Sequence, residues 1–219
     1  MQLSYTEENY LKSIYHLCLT NQHCETATNS IADALDIKPA TVTSMLKKLR
    51  DKQIISYERY GKVSLTALGN ELAIQIVRKH RLWEVFLVQK LNFTWDEVHE
   101  IAEQLEHIQS PKLIAELEAF LNYPEFDPHG DPIPNVKGEI KFISTMKLAE
   151  ATIGKDYKVV AVDDSSSEFL QYLMQIKITL DTSIKVLNRF EFDQSMLILI
   201  NHDKEITVSE KFSKNLIIQ

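Results

Sequence analysis

Apolar positions in the first quarter of the chain recur with the period of amphipathic helices. Residues 6 to 18 show this period, and residues 31 to 35 show it over one short helix. A turn at Pro39 precedes a longer periodic segment over residues 42 to 49. A short helix, a tight turn and a longer helix are the pattern of a helix-turn-helix.

The next segment predicts a small hairpin and then a long helix. Residues 54 to 66 mix apolar and polar side chains around Gly61, as the wing of a winged helix does. From Thr66, a suitable N-cap, to about Lys90 the apolar positions keep a helical period for roughly six turns. A helix of this length is able to join the winged helix to a dimer interface.

Two more helices and a set of strands complete the pattern. Helices are predicted from Thr94 to about Ile108 and from Ser110 to about Tyr123. Residues 124 to 138 hold four of the six prolines, which is typical of a linker. Short strands around one helix then indicate a small SH3-type barrel, although other small β folds also fit. These strands are predicted at 157–162, 183–187, 196–200 and 205–208, and the helix at 167–174.

The fold class that follows is mainly α with small β parts. It combines an N-terminal winged helix-turn-helix, a helical domain and a C-terminal SH3-like β-barrel, over residues 1–70, 71–138 and 139–219. A chain of 219 residues is long enough for two or three small domains, each with its own core.

Charge is distributed unevenly along the chain. The net charge is −7, yet residues 80 to 150 carry 13 acidic against 6 basic side chains, whereas residues 38 to 62 carry 7 basic against 2 acidic ones. A basic segment beside an acidic one indicates a polyanion-binding surface and a cation-binding surface in the same chain. Two solvated faces of opposite sign would also account for the charge alone.

Other function classes are disfavoured by what the sequence lacks. No apolar run reaches the roughly 18 residues of a membrane span and the N-terminus does not resemble a signal peptide, so we expect a cytoplasmic protein without a membrane partner. Cys18 and Cys24 match neither zinc-binding nor redox spacing and are interpreted as reduced thiols. Nucleotide-binding, hydrolase and metalloprotease signatures are missing, so we expect no enzyme.

The third helix and the wing carry the first candidate site. Small hydroxyl and basic side chains suit a helix in the major groove, because they reach phosphates and base edges without holding the backbone away. A solvated basic helix in an unrelated bundle is the alternative, and the attached wing disfavours it. The candidate DNA-binding residues are Lys38, Ala40, Thr41, Thr43, Ser44, Lys47 and Lys48 on the helix, and Arg59 and Lys62 on the wing.

Two predicted helices in the acidic part offer three histidines and three carboxylates at helical spacing. Imidazole with carboxylate, and no cysteine, favours Mn²⁺ or Fe²⁺ over softer metals. An exposed helix of mixed charge is the alternative; a carboxylate-bridged dimetal enzyme would use Glu-x-x-His pairs, which do not occur in the sequence. The candidate metal ligands are His80 and Glu84 on one helix, and His99, Glu103, Glu106 and His107 on and after the next.

At these residues the chain resembles the diphtheria-toxin-repressor family of metal-dependent transcriptional regulators, in particular its manganese transport regulators with a C-terminal SH3-like domain. The resemblance runs from about Thr6 to Pro134 and continues more weakly to the C-terminus. The segments that carry it are Glu8–Tyr15, Ala40–Thr43, Leu65–Gly69, Arg78–Leu82, Glu106–His107 and Gly130–Pro134.

The resemblance implies a homodimeric repressor of metal-uptake genes that binds double-stranded operator DNA when it holds Mn²⁺ or, alternatively, Fe²⁺. The helical domain would then serve metal binding and dimerisation. Glu103 favours manganese, because iron-responsive members place Cys at that position. By this resemblance His80, Glu84 and His99 form the ancillary metal site, and Glu103, Glu106 and His107 the primary one.

Three further positions follow from the same resemblance. Asn9 stands where familiar members place a Met or Asp ligand, and Lys12 stands where some manganese-type members carry Glu. Asn9 offers an amide oxygen to a hard ion without adding charge. The SH3-like domain of some members lends a ligand to the ancillary site, and Glu168 is the candidate for that role.

Two other functions remain open from the residues alone. A metal-binding protein or metalloenzyme whose winged helix binds another protein would bind metal without any effect on DNA affinity. A winged-helix regulator that responds to a small organic molecule would bind DNA equally well in the presence of a chelator.

Overall fold

The chain divides into two units, to both of which its long central helix contributes. The structure is a computed structural model that describes residues 3–19, 24–57, 61–141 and 143–219. The first unit comprises Met1–His80, Glu103–Ile114 and Pro134–Ile140, and the second comprises Arg81–Ala102, Ala115–Ile133 and Lys141–Gln219.

The first unit contains the predicted winged helix. Leu11 and Ile14 of the first helix are fully buried together with Val42, Leu46 and Leu49 of the third, so the apolar stripes found in the sequence face one core. The predicted helix-turn-helix and wing are therefore confirmed. The elements are helices α1 (Tyr5–Leu19), α2 (Thr28–Ala34) and α3 (Pro39–Asp51), and antiparallel strands β1 (Ile55–Tyr57) and β2 (Val63–Leu65).

The long helix α4 (Ala67–Leu91) begins where Thr66 caps it. The Thr66 hydroxyl oxygen accepts a hydrogen bond from the backbone N–H of Gly69 at 3.1 Å, as an N-cap residue does. The same hydroxyl lies 2.9 Å from the carbonyl oxygens of Gln53 and Ile54, to which it is able to donate. One side chain thus joins the start of α4 to the residues that follow α3.

Two shorter helices follow α4, and each contributes to both units. They are α5 (Val98–Leu105) and α6 (Pro111–Phe120), so the first is shorter than the predicted 94–108. Among the described residues, no helix has the length and apolar character needed to cross a membrane.

The second unit contains a six-stranded antiparallel sheet in the order β3-β8-β4-β5-β6-β7. The four predicted strands and the helix between them are confirmed, whereas two short strands and a short last helix were missed because they are too short to show a periodic pattern. The elements are β3 (Met146–Lys147), β4 (Asp156–Val162), α7 (Ser167–Ile176), β5 (Ser183–Arg189), β6 (Met196–Ile200), β7 (Lys204–Val208), α8 (Glu210–Asn215) and β8 (Leu216–Ile218).

The segment after α6 is packed, so its interpretation as a linker is wrong for residues 124 to 133. Asp127, His129 and Ile133 are buried there. The Asp127 carboxylate accepts hydrogen bonds from the backbone N–H groups of His129 and Asp131 at 2.8 and 2.9 Å. The segment around Gly130 is therefore a turn that the Asp127 side chain holds together through the backbone.

Gly130 provides a test of this packing. It has φ +90°, and a Cβ there would lie 2.0 Å from the carbonyl oxygen of Val160, whereas Gly154 has φ +83° with nothing within 4 Å of the added carbon. Both Gly→Ala changes impose the positive-φ cost of about 1–3 kcal/mol. We expect Gly130→Ala to lower the melting temperature measured by circular dichroism clearly further than Gly154→Ala, and equal losses would contradict the close packing at Gly130.

Candidate functional site

The first unit gathers imidazole and carboxylate groups into one cluster, here called the primary cluster: Glu8, His80, Glu103, Glu106 and His107. Glu8 comes from α1, His80 from α4, Glu103 from α5, and the last two residues from the turn after α5. All of them except Glu103 are buried, and Glu106 is completely inaccessible. Four residues predicted as metal ligands thus belong to this cluster, and one of them, His80, contacts Glu106 although the resemblance assigned it to the ancillary site.

Glu106 is the centre of the primary cluster. Its Oε2 lies 2.6 Å from Nδ1 of His80 and accepts a hydrogen bond from Nζ of Lys12 at 2.8 Å. Lys12 also forms an ion pair with Oε1 of Glu103, an atom that lies 4.0 Å from Nδ1 of His80. Two carboxylates, one imidazole and one ammonium group therefore meet at this point.

His107 is oriented by a residue that sequence reasoning missed. Its Nδ1 lies 2.6 Å from Oε2 of Glu8, whose Oε1 accepts from Nε2 of Gln109 at 2.6 Å. Tyr5 stacks on the imidazole with ring centroids 4.5 Å apart. A carboxylate beside Nδ1 of a histidine orients the ring and leaves Nε2 as the nitrogen available to a metal, an arrangement common among metal-binding histidines.

The electrostatics of the primary cluster suit a divalent cation. Burial acts to raise the pKa of Glu106, but the hydrogen bond to His80 and the charge of Lys12 outweigh burial and hold that pKa below its usual value. Oε1 of Glu106 and Oδ1 of Asn9 are among the buried side-chain atoms of the described residues that have no hydrogen-bond partner, and a bound cation or a water molecule would satisfy such atoms. The imidazole and carboxylate groups of the primary cluster fit Mn²⁺ or Fe²⁺, and the predicted ligand Asn9 follows Glu8 on α1.

The second unit holds a further group of four, here called the second cluster: Glu84, His99, Asp127 and His129. Oε1 of Glu84 lies 3.5 Å from Nδ1 of His99, and Oε2 lies 3.7 Å from Nδ1 of His129. Glu84, Asp127 and His129 are buried and offer ligand atoms within 4.8 Å of one another. This geometry is suitable for a metal ion, with the exposed His99 beside it.

His129 is held by the backbone around it. Its Nε2 donates to the carbonyl oxygen of Trp95 at 2.8 Å, which leaves Nδ1 directed at Glu84. Burial, with the negative charges of Glu84 and Asp131, raises the pKa of Asp127 to about 7. Burial acts to lower the pKa of His129, but Glu84 and Asp127 outweigh it and raise that pKa to about 9. Metal binding here must therefore release a proton.

Asp127 and His129 escaped sequence reasoning because the Pro- and Gly-rich composition around them indicated a linker. The only feature of the sequence that could have indicated them as metal ligands is their spacing of two residues within an acidic segment. Glu168, the predicted ligand from the SH3-like domain, lies exposed in the first turn of α7. It is not part of either metal-capable group found among the described residues, and its role as a ligand stays a prediction.

The predicted DNA-binding face of α3 lies opposite its buried stripe. Thr43 is half-buried and donates its hydroxyl hydrogen to the carbonyl oxygen of Pro39 at 3.0 Å. Lys62 is exposed and lies 3.2 Å from Glu25, whereas Arg59 falls outside the described residues. The exposed candidates on and just before α3 are Lys38, Ala40, Thr41, Ser44, Lys47 and Lys48.

A winged helix joined to buried imidazole and carboxylate clusters defines a class of metal-responsive DNA-binding regulator. Comparison with known families agrees with this class. The profile described as "Iron dependent repressor, N-terminal DNA binding domain" matches residues 2–63, "Iron dependent repressor, metal binding and dimerisation domain" matches 66–135, and "FeoA domain" matches 146–219. The chain belongs to the iron-dependent repressor family.

Individual relatives give the extent of the similarity. The iron-dependent repressor IdeR of Mycobacterium tuberculosis is 34% identical over 131 residues, which are 60% of this chain and 56% of that protein. The chain thus matches little more than half the length of such curated relatives. A "Manganese-dependent transcriptional repressor complex with manganese" is 31% identical, with a TM-score of 0.85 over 97% of this chain and 98% of that one. ScaR with bound Zn²⁺ is 31% identical, with a TM-score of 0.77 over the same shares.

The second cluster generates a prediction about metal stoichiometry. We expect His129→Gln to lower the number of Mn²⁺ ions bound per chain, measured by equilibrium dialysis with elemental analysis, because the change removes an imidazole directed at Glu84. The exposed His202, which belongs to neither cluster, provides the matched control His202→Gln. An unchanged number of ions in His129→Gln would exclude His129 as a ligand.

Proposed function

We propose that this protein is a metal-activated transcriptional repressor that binds operator DNA as a homodimer in the cytoplasm and controls genes of metal uptake. The observation that carries the proposal is the primary cluster, which joins α1 of the winged helix to α4 and to the turn after α5. Family membership supports the regulatory role.

The proposed coupling acts through the core of the winged helix. Glu8, Asn9 and Lys12 lie on α1, whose residues Leu11 and Ile14 pack in the same core as α3. A bound divalent cation would supply the positive charge that draws the carboxylates of the primary cluster together. Residues Asn9, His80, Glu103, Glu106 and His107 would hold it, and their fixed positions would orient α1 and hence α3 for DNA.

We propose manganese as the metal and iron as the alternative. The primary cluster offers nitrogen and oxygen donors and no thiolate, as suits a harder ion. The presence of Glu103 where iron-responsive relatives place Cys favours manganese. Similar proteins include both manganese-dependent and iron-dependent repressors, so the experiment compares the two ions.

Exposed apolar side chains support the proposed homodimer. Leu91, Phe120 and Tyr123 are each exposed by half or more, although they belong to the helical region that matches a metal binding and dimerisation domain. Because they lie in the segment that matches a dimerisation domain, we propose that a second copy of the chain covers them. A dimer also presents two α3 helices, as a palindromic operator requires.

The central prediction concerns metal-dependent DNA binding. We expect Mn²⁺ to tighten binding to a fluorescent palindromic operator of the type used by this family, measured by anisotropy at fixed salt against a chelator and against Fe²⁺ and Zn²⁺. Glu106→Gln removes the charge at the centre of the primary cluster and should weaken Mn²⁺-dependent binding by at least about tenfold, or 1.4 kcal/mol. The exposed Glu116 provides the control, Glu116→Gln.

Two results would count against the proposal. Operator binding by Glu106→Gln that stays as metal-dependent as that of the unchanged chain would remove the primary cluster from the mechanism. Tight Mn²⁺ binding without any effect on DNA affinity would instead favour a metal-binding protein whose winged helix recognises another protein.

The exposed face of α3 generates a prediction about salt. Lys47 is exposed on that face, and a lysine that contacts a phosphate adds about one unit to the slope of log affinity against log salt. We therefore expect Lys47→Met to weaken binding to all DNA sequences alike and to lower this slope by about one. A variant that keeps the original slope would show that Lys47 does not contact phosphate.

A further inference from the structure

Lys12 is the cation that forms ion pairs with two carboxylates of the primary cluster, whereas the nearby Lys79 interacts with Glu8 and Glu106 through charge alone. Lys12 lies one turn after Glu8 on α1, and its side chain is only 12% exposed. Its ammonium group pairs with Oε1 of Glu103 and with Oε2 of Glu106, the second at 2.8 Å. A lysine side chain buried this far requires such partners.

The oxygen atoms that Lys12 engages are those that the proposed function assigns to a metal ion. Oε2 of Glu106 is also the atom 2.6 Å from Nδ1 of His80, so ammonium and imidazole converge on one carboxylate oxygen. A divalent ion at this point would lie within a few ångströms of the ammonium nitrogen. Two cations at that distance repel each other strongly in a buried site.

We propose that Lys12 competes with the metal ion for Glu103 and Glu106, so that its ammonium group leaves these carboxylates when the ion binds. This inference rests on the proposed function and specifies how the same site is regulated. The competition weakens metal affinity and so sets the metal concentration at which the protein responds. It also keeps both carboxylates paired, including the fully buried one of Glu106, at metal concentrations below that threshold.

Removal of the ammonium group tests the competition. We expect Lys12→Met to bind Mn²⁺ at least about tenfold more tightly than the unchanged chain, by titration calorimetry, since close charge pairs commonly contribute that much. Lys12→Arg keeps the charge, so its affinity for Mn²⁺ should stay near that of the unchanged chain. Lys112 is exposed, and the control Lys112→Met should leave the affinity for Mn²⁺ unchanged. Unchanged or weaker Mn²⁺ binding by Lys12→Met would overturn the inference.

A second measurement uses the unchanged chain and therefore does not depend on whether a variant folds. An amine-reactive ester, with peptide mass spectrometry, reports how accessible each lysine is with chelator and with saturating Mn²⁺. We expect labelling of Lys12 to rise severalfold with Mn²⁺ while labelling of Lys112 stays constant.

The outcomes separate this inference from the proposed function. Metal-dependent operator binding with constant labelling of Lys12 would overturn the competition alone, because the ammonium group would then stay in place. A chain that binds neither Mn²⁺ nor Fe²⁺ would overturn the proposed function together with the competition.

Discussion

The carboxylate of Glu106 has no solvent exposure, and the rest of the first unit has to stabilise its negative charge. An isolated buried charge is unstable in a protein interior and must be paired and hydrogen-bonded. His80 of α4 and Lys12 of α1 provide the pairing, and Glu106 itself lies just after α5. The stabilisation of this one charge therefore brings three separate elements together. A cation that binds here would affect the positions of all three.

The second cluster also stabilises buried carboxylates, but through different side chains. Glu84 and Asp127 are buried as well, and there the compensation comes from a proton on His129 and from Arg81, whose Nε lies 3.6 Å from Asp127. Both clusters thus contain a cationic side chain beside carboxylates that suit a divalent ion. A divalent ion at either cluster would have to replace a positive charge that is already there, the ammonium group of Lys12 in one and the proton of His129 in the other, and this exchange would lower the affinity for metal.

The winged helix is linked to this chemistry through α1. One face of α1 packs in the core that holds α3, while Glu8 and Lys12 on the same helix bind groups of the primary cluster. A rigid helix that belongs to both a hydrophobic core and an ionic cluster is able to convey a change from one to the other. This physical link supports metal-dependent DNA binding without any change in the fold of the domain.

The sequence by itself determined the features that depend on local spacing. Apolar periodicity located α1 to α4 and four strands of the sheet, and the i, i+4 pairs marked His80 with Glu84 and His99 with Glu103, because a helix places such residues on one face. Tertiary structure alone decided which of these residues meet Glu8, Lys12, Asp127 and His129. Glu8 and His107 are 99 positions apart, and no local pattern specifies such a pairing, because it arises from the packing of whole elements.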